Sequence, residues 1–210
     1  MNAEESQAPF LTPGVKQVIG VTLLYMIAAV VGAFQSGNKE FVIYIAVMVV
    51  LFGVVGYVHS KVRLMTATLW ALTGWGAAHM AGGLVPVPEG WPINGDIRVL
   101  YSWWIIDGTL KYDHVVHAYG FGVTTWVCWQ ALGAAFRGRG AAISPSFGLL
   151  TLCVVAGMGF GAVNEVIEFT ATLLVPETNV GGYVNTGWDL VSNLSGCVVA
   201  AVLIRALNRQ

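Results

Sequence analysis

No Asp, Glu, Lys or Arg interrupts the chain between Lys16 and Lys39, and none between Glu40 and Lys61. Two uncharged apolar runs of that length, back to back, constrain the fold more than any other feature. A helix needs about 20 apolar residues to cross the hydrocarbon core of a bilayer. Further runs follow, and the sequence reads as an all-α, polytopic transmembrane helix bundle with about six spans. The expected spans are 17–35, 41–58, 64–84, 113–136, 147–174 and 188–204, forming a single integral membrane domain over 1–210. Between the third and fourth spans, residues 85–112 mix Pro86, Pro88 and Pro92 with charges and with Trp91, Tyr101, Trp103 and Trp104. Aromatic rings of this kind collect at the headgroup level, so an interfacial loop is expected, with a short surface helix or a re-entrant turn inside it.

Composition closes the other routes. Charged types make up 10% of the 210 residues, against about 25% in a soluble domain. That leaves too little charge to coat a soluble surface. The net charge of −1 offers no basic face for nucleic acid. Cys128, Cys153 and Cys197 are odd in number and lie in apolar stretches, which suits buried thiols rather than a disulfide framework. Residues 1–13 hold two glutamates and no Lys or Arg, unlike the start of a cleaved secretory signal. SGNKE at 36–40 and PETNVGGYVNTG at 176–187 read as turns.

Basic residues give an orientation. With six spans, Lys16, Lys61, Arg63, Arg137, Arg139, Arg205 and Arg209 fall on one side. Lys39, Arg98 and Lys111 fall on the other, and seven against three favours cytoplasmic N- and C-termini. The expected location is a bacterial cytoplasmic (inner) membrane.

With that topology, polar groups from four spans reach a similar depth near the outer face. They are His79 in the third span, Asp113, His114 and His117 in the fourth, Asn164, Glu165 and Glu168 in the fifth, and Asp189 and Asn193 in the sixth. Spacings of three or four residues put Asp113 with His117, Glu165 with Glu168, and Asp189 with Asn193, each pair on one helix face. Carboxylates and imidazole on facing helices are how bundles build metal sites, and such a set suits Zn, Mn or Fe(II). Without metal, the same groups could serve as general acid and base.

Each residue also has a plainer role open to it. Asp113 could cap the fourth span, and Asp189 stands three after Thr186 in a capping-box pattern. His114 and His117 could reach interfacial water, and His79 could bond a loop carbonyl. His59, beside Lys61 and Arg63, reads as a solvated interface residue, and Asn164 points about 100° away from Glu165. Gly157 and Gly161 read as helix packing. Glu165 and Glu168 resist the plain reading best, since two charges one turn apart at depth need a partner or a wet cavity. No Walker loop, dinucleotide fingerprint, HExxH or GxSxG motif is present in the sequence.

The ordered set DHVVH, NEVIE and WDLVSNLSG resembles the VanZ-like membrane proteins, whose pattern has Asp and His four apart, Glu and Gln three apart, then Asp-x-x-x-Asn-x-x-Gly. HMAGG and the aromatic loop after it resemble the YjdF-like inner-membrane proteins. The resemblance implies a cell-envelope role without fixing a reaction. The chain departs from the VanZ pattern at His114, where Lys is usual, at Glu168, where Gln is usual, and in lacking an Arg before Asp189. These departures make the site more acidic. Three functions stay open on these grounds: a metal-dependent hydrolase or transferase acting on a lipid or lipid-linked envelope molecule, a non-catalytic binding or scaffold protein, and a proton- or cation-coupled transporter.

Overall fold

The computed structural model describes residues 10–36, 39–175, 178 and 180–207. Within them lie six long helices: α1 (Pro13–Ser36), α2 (Lys39–Val62), α3 (Thr66–Leu84), α4 (Tyr112–Arg137), α5 (Phe147–Leu174) and α6 (Tyr183–Leu207). The polar start of the chain lies outside the described residues up to position 9, as do parts of the turns at 36–40 and 176–187.

Local chemistry sets several of the helix ends. Pro13 opens α1 at a position where its missing N–H costs nothing, and the Thr12 hydroxyl accepts from Val15 N–H at 3.3 Å. Ser146 caps α5 in the same way through Leu149 N–H. α3 has no capping side chain of its own at Met65. Gln130 of α4 supplies the acceptor instead: its Oε1 takes Met65 N–H at 2.8 Å, and its amide donates to Thr68 Oγ1 at 2.6 Å.

The outer faces explain the solvent. Leu24 and Phe34 of α1, Val50 of α2, Leu152 and Phe169 of α5, and Val202 of α6 are all exposed. Apolar surface spread along whole helices would be a severe liability in water and is at home in lipid. The chain is a membrane protein by this criterion. Four helical stretches are long and apolar enough to cross a bilayer: Pro13–Gln35, Phe41–Val62, Phe147–Leu174 and Tyr183–Leu207. The expected spans at 64–84 and 113–136 do form helices but are not among these four. α3 is rich in Gly, Ala and Thr and carries His79, and α4 carries Asp113, His114, His117 and Arg137, which keeps both out of that set of long apolar stretches.

Packing places α4 at the centre, against α2, α3, α5 and α6. Its tightest partner is α6. A Cβ built on Gly196 would sit inside the Ala118 carbonyl, and one on Gly122 would press on the Gly196 carbonyl. Only glycine allows the two backbones to meet there. Gly161 gives Asn193 the same room on α5, which confirms the packing reading of that glycine. Thr22 of α1 and Thr73 of α3 share a hydroxyl bond of 3.0 Å, and α1 packs along α3.

The short surface helix expected in 85–112 does not form as an α-helix: between α3 and α4 the described residues hold only one turn of 3-10 helix and a hairpin. They fold into a cap with isolated bridges Pro86–Val99 and Ile93–Trp103 and one turn of 3-10 helix at Leu100–Ser102. A small antiparallel hairpin follows, β1 (Trp104–Ile106) with β2 (Leu110–Lys111). Asp107-Gly108 makes its turn, and Gly108 adopts φ 64°, a conformation that favours glycine. The hairpin delivers Lys111 directly onto the first turn of α4.

Substituting Gly196 by Leu is expected to lower the stability of the detergent-solubilised protein by about 3 kcal/mol or more, because overpacking here pushes backbone against backbone. Gly159→Leu, where a side chain meets open space, should leave the thermal melt nearly unchanged. Equal melts for the two variants would contradict the close α4–α6 contact.

Candidate functional site

Asp113, His117, Glu165, Glu168, Asp189 and Asn193 converge in the structure. His117 is the centre. Its Nδ1 lies 3.1 Å from Asn193 Oδ1 and 3.8 Å from Glu165 Oε1. Its Nε2 lies 3.5 Å from Asp113 Oδ1 and 3.7 Å from Glu168 Oε1. An amide oxygen only accepts, so His117 Nδ1 carries a proton and donates it to Asn193. Nε2 then turns its other valence toward two carboxylate oxygens.

Lys111, Asn185 and Asn164 hold the carboxylates from outside this core. Lys111 Nζ donates to Asp113 Oδ2 at 3.2 Å and also to Asn185 Oδ1. Asn185 passes the contact on, its amide donating to Asp189 Oδ2 at 2.6 Å. Asn164 donates to Glu168 Oε1 at 2.7 Å. Asp189 and Asn193 are wholly enclosed. Both oxygens of Glu165, Asp189 Oδ1 and Asn193 Nδ2 are buried without a hydrogen-bond partner among the described residues. Buried polar atoms left open in this way are uncommon, and their grouping in one place marks the site.

Charge makes the same point. Four carboxyl groups (Asp113, Glu165, Glu168, Asp189) share one enclosed region with one ammonium, Lys111, and one imidazole, His117. Charges at this depth are costly unless compensated. Two overlapping sets have metal-ligand spacing, Asp113–His117–Asp189 and His117–Glu165–Glu168, with their ligand atoms within 4.8 Å of one another.

Several plainer roles are now settled. Asp113 is inside the first turn of α4 and pairs with Lys111 and His117 rather than capping the helix. Asp189 cannot cap α6, because α6 begins at Tyr183, five residues earlier than the expected start at 188. Asn164 turns toward Glu168 after all, since a residue four ahead on a helix lies on the same face. His59 is buried, not solvated: Phe10 covers its ring at 5.1 Å between centroids.

The two remaining histidines stand apart from both ligand sets. His79 is enclosed by the rings of Phe41, Tyr44, Trp75 and Tyr101, and its Nδ1 is bonded by the Tyr101 hydroxyl. Burial, helped by the nearby negative charge of Asp113, raises the Tyr101 phenol well above its ordinary range, so it stays a neutral donor. His114 is held between Trp104 and Trp188, and its Nδ1 accepts Lys111 N–H at 3.3 Å. A small cavity of about 50 Å³ lies between the cluster and the cap, lined by His79, Tyr101, Lys111, Asp113, Glu168 and Asn185, among others.

Sequence reasoning missed Lys111, Asn185 and Tyr101. Asn185 carried a usable signal, standing four before Asp189 as Asp189 stands four before Asn193. Lys111 and Tyr101 lie in the cap, whose folding onto the bundle has no periodic signature.

A family model matches residues 18–210, and that span holds every residue of the cluster. The chain belongs to the family described as predicted membrane protein DUF2238. No curated protein and no solved structure matches it. Membership agrees with the lipid-facing helices and brings no activity with it.

Asn193→Leu is expected to lower the melting temperature in detergent more than Asn164→Leu. The first leaves His117 Nδ1–H without its acceptor in an enclosed interior, a loss of about 1–3 kcal/mol. The second frees one oxygen of Glu168 beside the cavity, where water can replace the amide. Scanning fluorimetry reads the difference, and a larger loss for Asn164→Leu would refute the assigned role of Asn193.

Proposed function

We propose that this protein is a six-span enzyme of the bacterial cytoplasmic membrane, with both termini cytoplasmic and a divalent-cation site facing outward. The observation that carries the proposal is the state of His117. With Nδ1 committed to Asn193, its Nε2 faces the oxygens of Asp113 and Glu168. A cation, either a proton or a metal ion, would satisfy these three acceptors together. The excess of carboxylates over basic groups favours a divalent ion, and N/O donors suit Zn, Mn or Fe(II). The bond from His117 to Asn193 matches the usual support of a metal-bound imidazole by a second group.

Residue roles follow from position. Asp113, His117, Glu165 and Glu168 would hold the ion, and Asp189 with Asn193 would orient water or substrate. A divalent cation supplies Lewis-acid chemistry and makes water acidic enough to act as a nucleophile near neutral pH. Hydrolysis or group transfer on a lipid or lipid-linked envelope molecule is the reaction class this supports. The resemblance to VanZ-like and YjdF-like proteins points to the same compartment.

The six-span topology draws on helix length. α3 and α4, with 19 and 26 residues, rise about 28 and 39 Å, the first close to and the second beyond a hydrocarbon core of about 30 Å. Their polar groups face inward, as intramembrane polar groups do. Below the cluster, Phe121, Thr125 and Cys197 are buried between α4, α5 and α6. A continuous polar path toward the other face is missing among the described residues, which favours an enzyme over a proton- or cation-coupled transporter.

Elemental mass spectrometry of the purified protein, beside a Glu165→Gln/Glu168→Gln double variant, tests the proposal. Near-stoichiometric Zn, Mn or Fe is expected in the native protein and absent in the variant. Occupancy should also fall on acidification, because the ligands must be deprotonated to bind. No metal in either sample, even after reconstitution with each ion, would remove the proposed mechanism.

A further inference from the structure

A second feature lies on the neighbouring face of α4. α3 and α6 pack on either side of that helix, and an apolar groove of about 710 Å³ runs over it between them. Val115, Val123, Ser195, Val199 and Leu203 are among the residues lining it. The groove begins at Leu110 and His114 and continues to Trp126 on α4. Twelve helical residues span about 18 Å, close to one leaflet's share of a hydrocarbon core about 30 Å thick.

The two ends of the groove differ. At the Trp126 end the lining is Met65, Ala67 and Thr68, and the Thr68 hydroxyl is already engaged by Gln130. At the other end is His114, which is 95% or more enclosed, and its Nε2 has no hydrogen-bond partner among the described residues. Because His114 Nδ1 accepts Lys111 N–H, the ring proton of the neutral imidazole sits on Nε2. The His114 ring thus lines a groove that Ser192 and Ser195 also line, and its Nε2–H is a donor left without an acceptor among the described residues. The ring lies beside Trp104 and Trp188, at the level where aromatic residues mark the membrane interface.

We infer that this groove binds one acyl chain of a glycerolipid, with His114 Nε2–H donating to the ester carbonyl at its head. The chemistry is matched at both ends, since an ester carbonyl is an acceptor at the interface and its chain is apolar for one leaflet's depth. A helix from a second copy of this protein would fill the groove and bring no acceptor to His114 unless a polar side chain happened to fall there. As a statement of substrate class the inference rests on the lipid-acting reading of the polar cluster. As a statement of binding it is tested separately. His114 and His117 lie on adjacent faces of α4, so a lipid seated here has its ester region beside the carboxylate cluster.

The full chain is reconstituted into phosphatidylethanolamine/phosphatidylglycerol vesicles. These are doped with phosphatidylglycerol bearing a diazirine on one acyl chain, and photo-crosslinked positions are mapped by peptide mass spectrometry. Labelling is expected to concentrate on 115–123 and 195–203 over the equally lipid-facing Leu24 and Val166. Ser195→Trp and, independently, Val199→Trp should bring groove labelling down to the level of those outer faces. An ether-linked analogue, lacking the carbonyl, should label the groove about fivefold less, the order of one net hydrogen bond. That preference should vanish in His114→Phe. Even labelling of all apolar faces would mean annular lipid only and would overturn the inference. Equal labelling by ester and ether lipids in the native protein would overturn the role of His114. Glu165→Gln/Glu168→Gln should keep the full labelling pattern while losing metal, so the groove and the metal site fail or stand independently.

Discussion

His117 holds the C-terminal half of the molecule together. One ring touches α6 through Asn193, α5 through Glu165 and Glu168, and its own helix through Asp113. The contact is possible only because α4 and α6 meet backbone to backbone at Gly196 and because Gly161 leaves space for the Asn193 amide. Move α6 outward by the width of one methyl group and the imidazole loses its acceptor. The carboxylates of α5 would then face each other without the group that stands between them. The polar site and the small-residue packing are therefore one design, in which the glycines set the distance and the histidine uses it.

The surrounding lipid explains why the site is so enclosed. Apolar side chains gain little by turning inward when the solvent is itself apolar, so the interior is free to hold what lipid rejects. Small and polar residues occupy the seams: Thr22 with Thr73, Cys197 with the Phe121 carbonyl, Gln130 with the start of α3. The ionisable groups gather at the end covered by the cap. There Lys111 reaches in from the hairpin and the Tyr101 hydroxyl bonds His79. The cap does two jobs, closing the bundle end and delivering Lys111, the one ammonium paired with the acidic cluster among the described residues.

Much of this was legible in the sequence. Apolar runs with few charges located all six helices, and the bounds of α5 at 147–174 coincide with the structure. The i, i+3 and i, i+4 pairs on the last three helices also pointed to the convergence, since helical periodicity carries across any solvent. What was not legible came from contacts without period. The start of α6 was placed at Trp188 because Gly181, Gly182, Asn185 and Gly187 read as turn residues, yet the helix already runs from Tyr183. Asn185 there bonds Lys111 of the cap and, one turn on in its own helix, Asp189, and these contacts outweigh its low helix propensity. His59 looked solvated because Lys61 and Arg63 flank it, and only the fold shows Phe10 lying over its ring. At 85–112 the prolines and aromatics mark a segment that does not continue the helical runs, but its hairpin comes down to a single Asp107-Gly108 turn in a short segment.

The position of α4 explains why two unlike environments can coexist on so small a chain. An α-helix advances 100° per residue, so residues three apart are offset by about 60°. His114 and His117 use that offset, one ring facing the groove beside α6 and the other facing the carboxylates between α5 and α6. Both imidazoles have Nδ1 engaged by a fixed partner, the Lys111 backbone for His114 and Asn193 for His117. The engagement differs in sense. His114 accepts through Nδ1 and is left with a donor at Nε2, while His117 donates through Nδ1 and is left with a lone pair, or a proton, facing Asp113 and Glu168. A neutral His117 therefore presents a ligand atom where His114 presents a hydrogen-bond donor. Two neighbouring histidines of one helix thus present opposite chemistry, a lone pair on the acidic side and a hydrogen-bond donor on the apolar side. The protein makes this distinction with backbone and amide contacts alone.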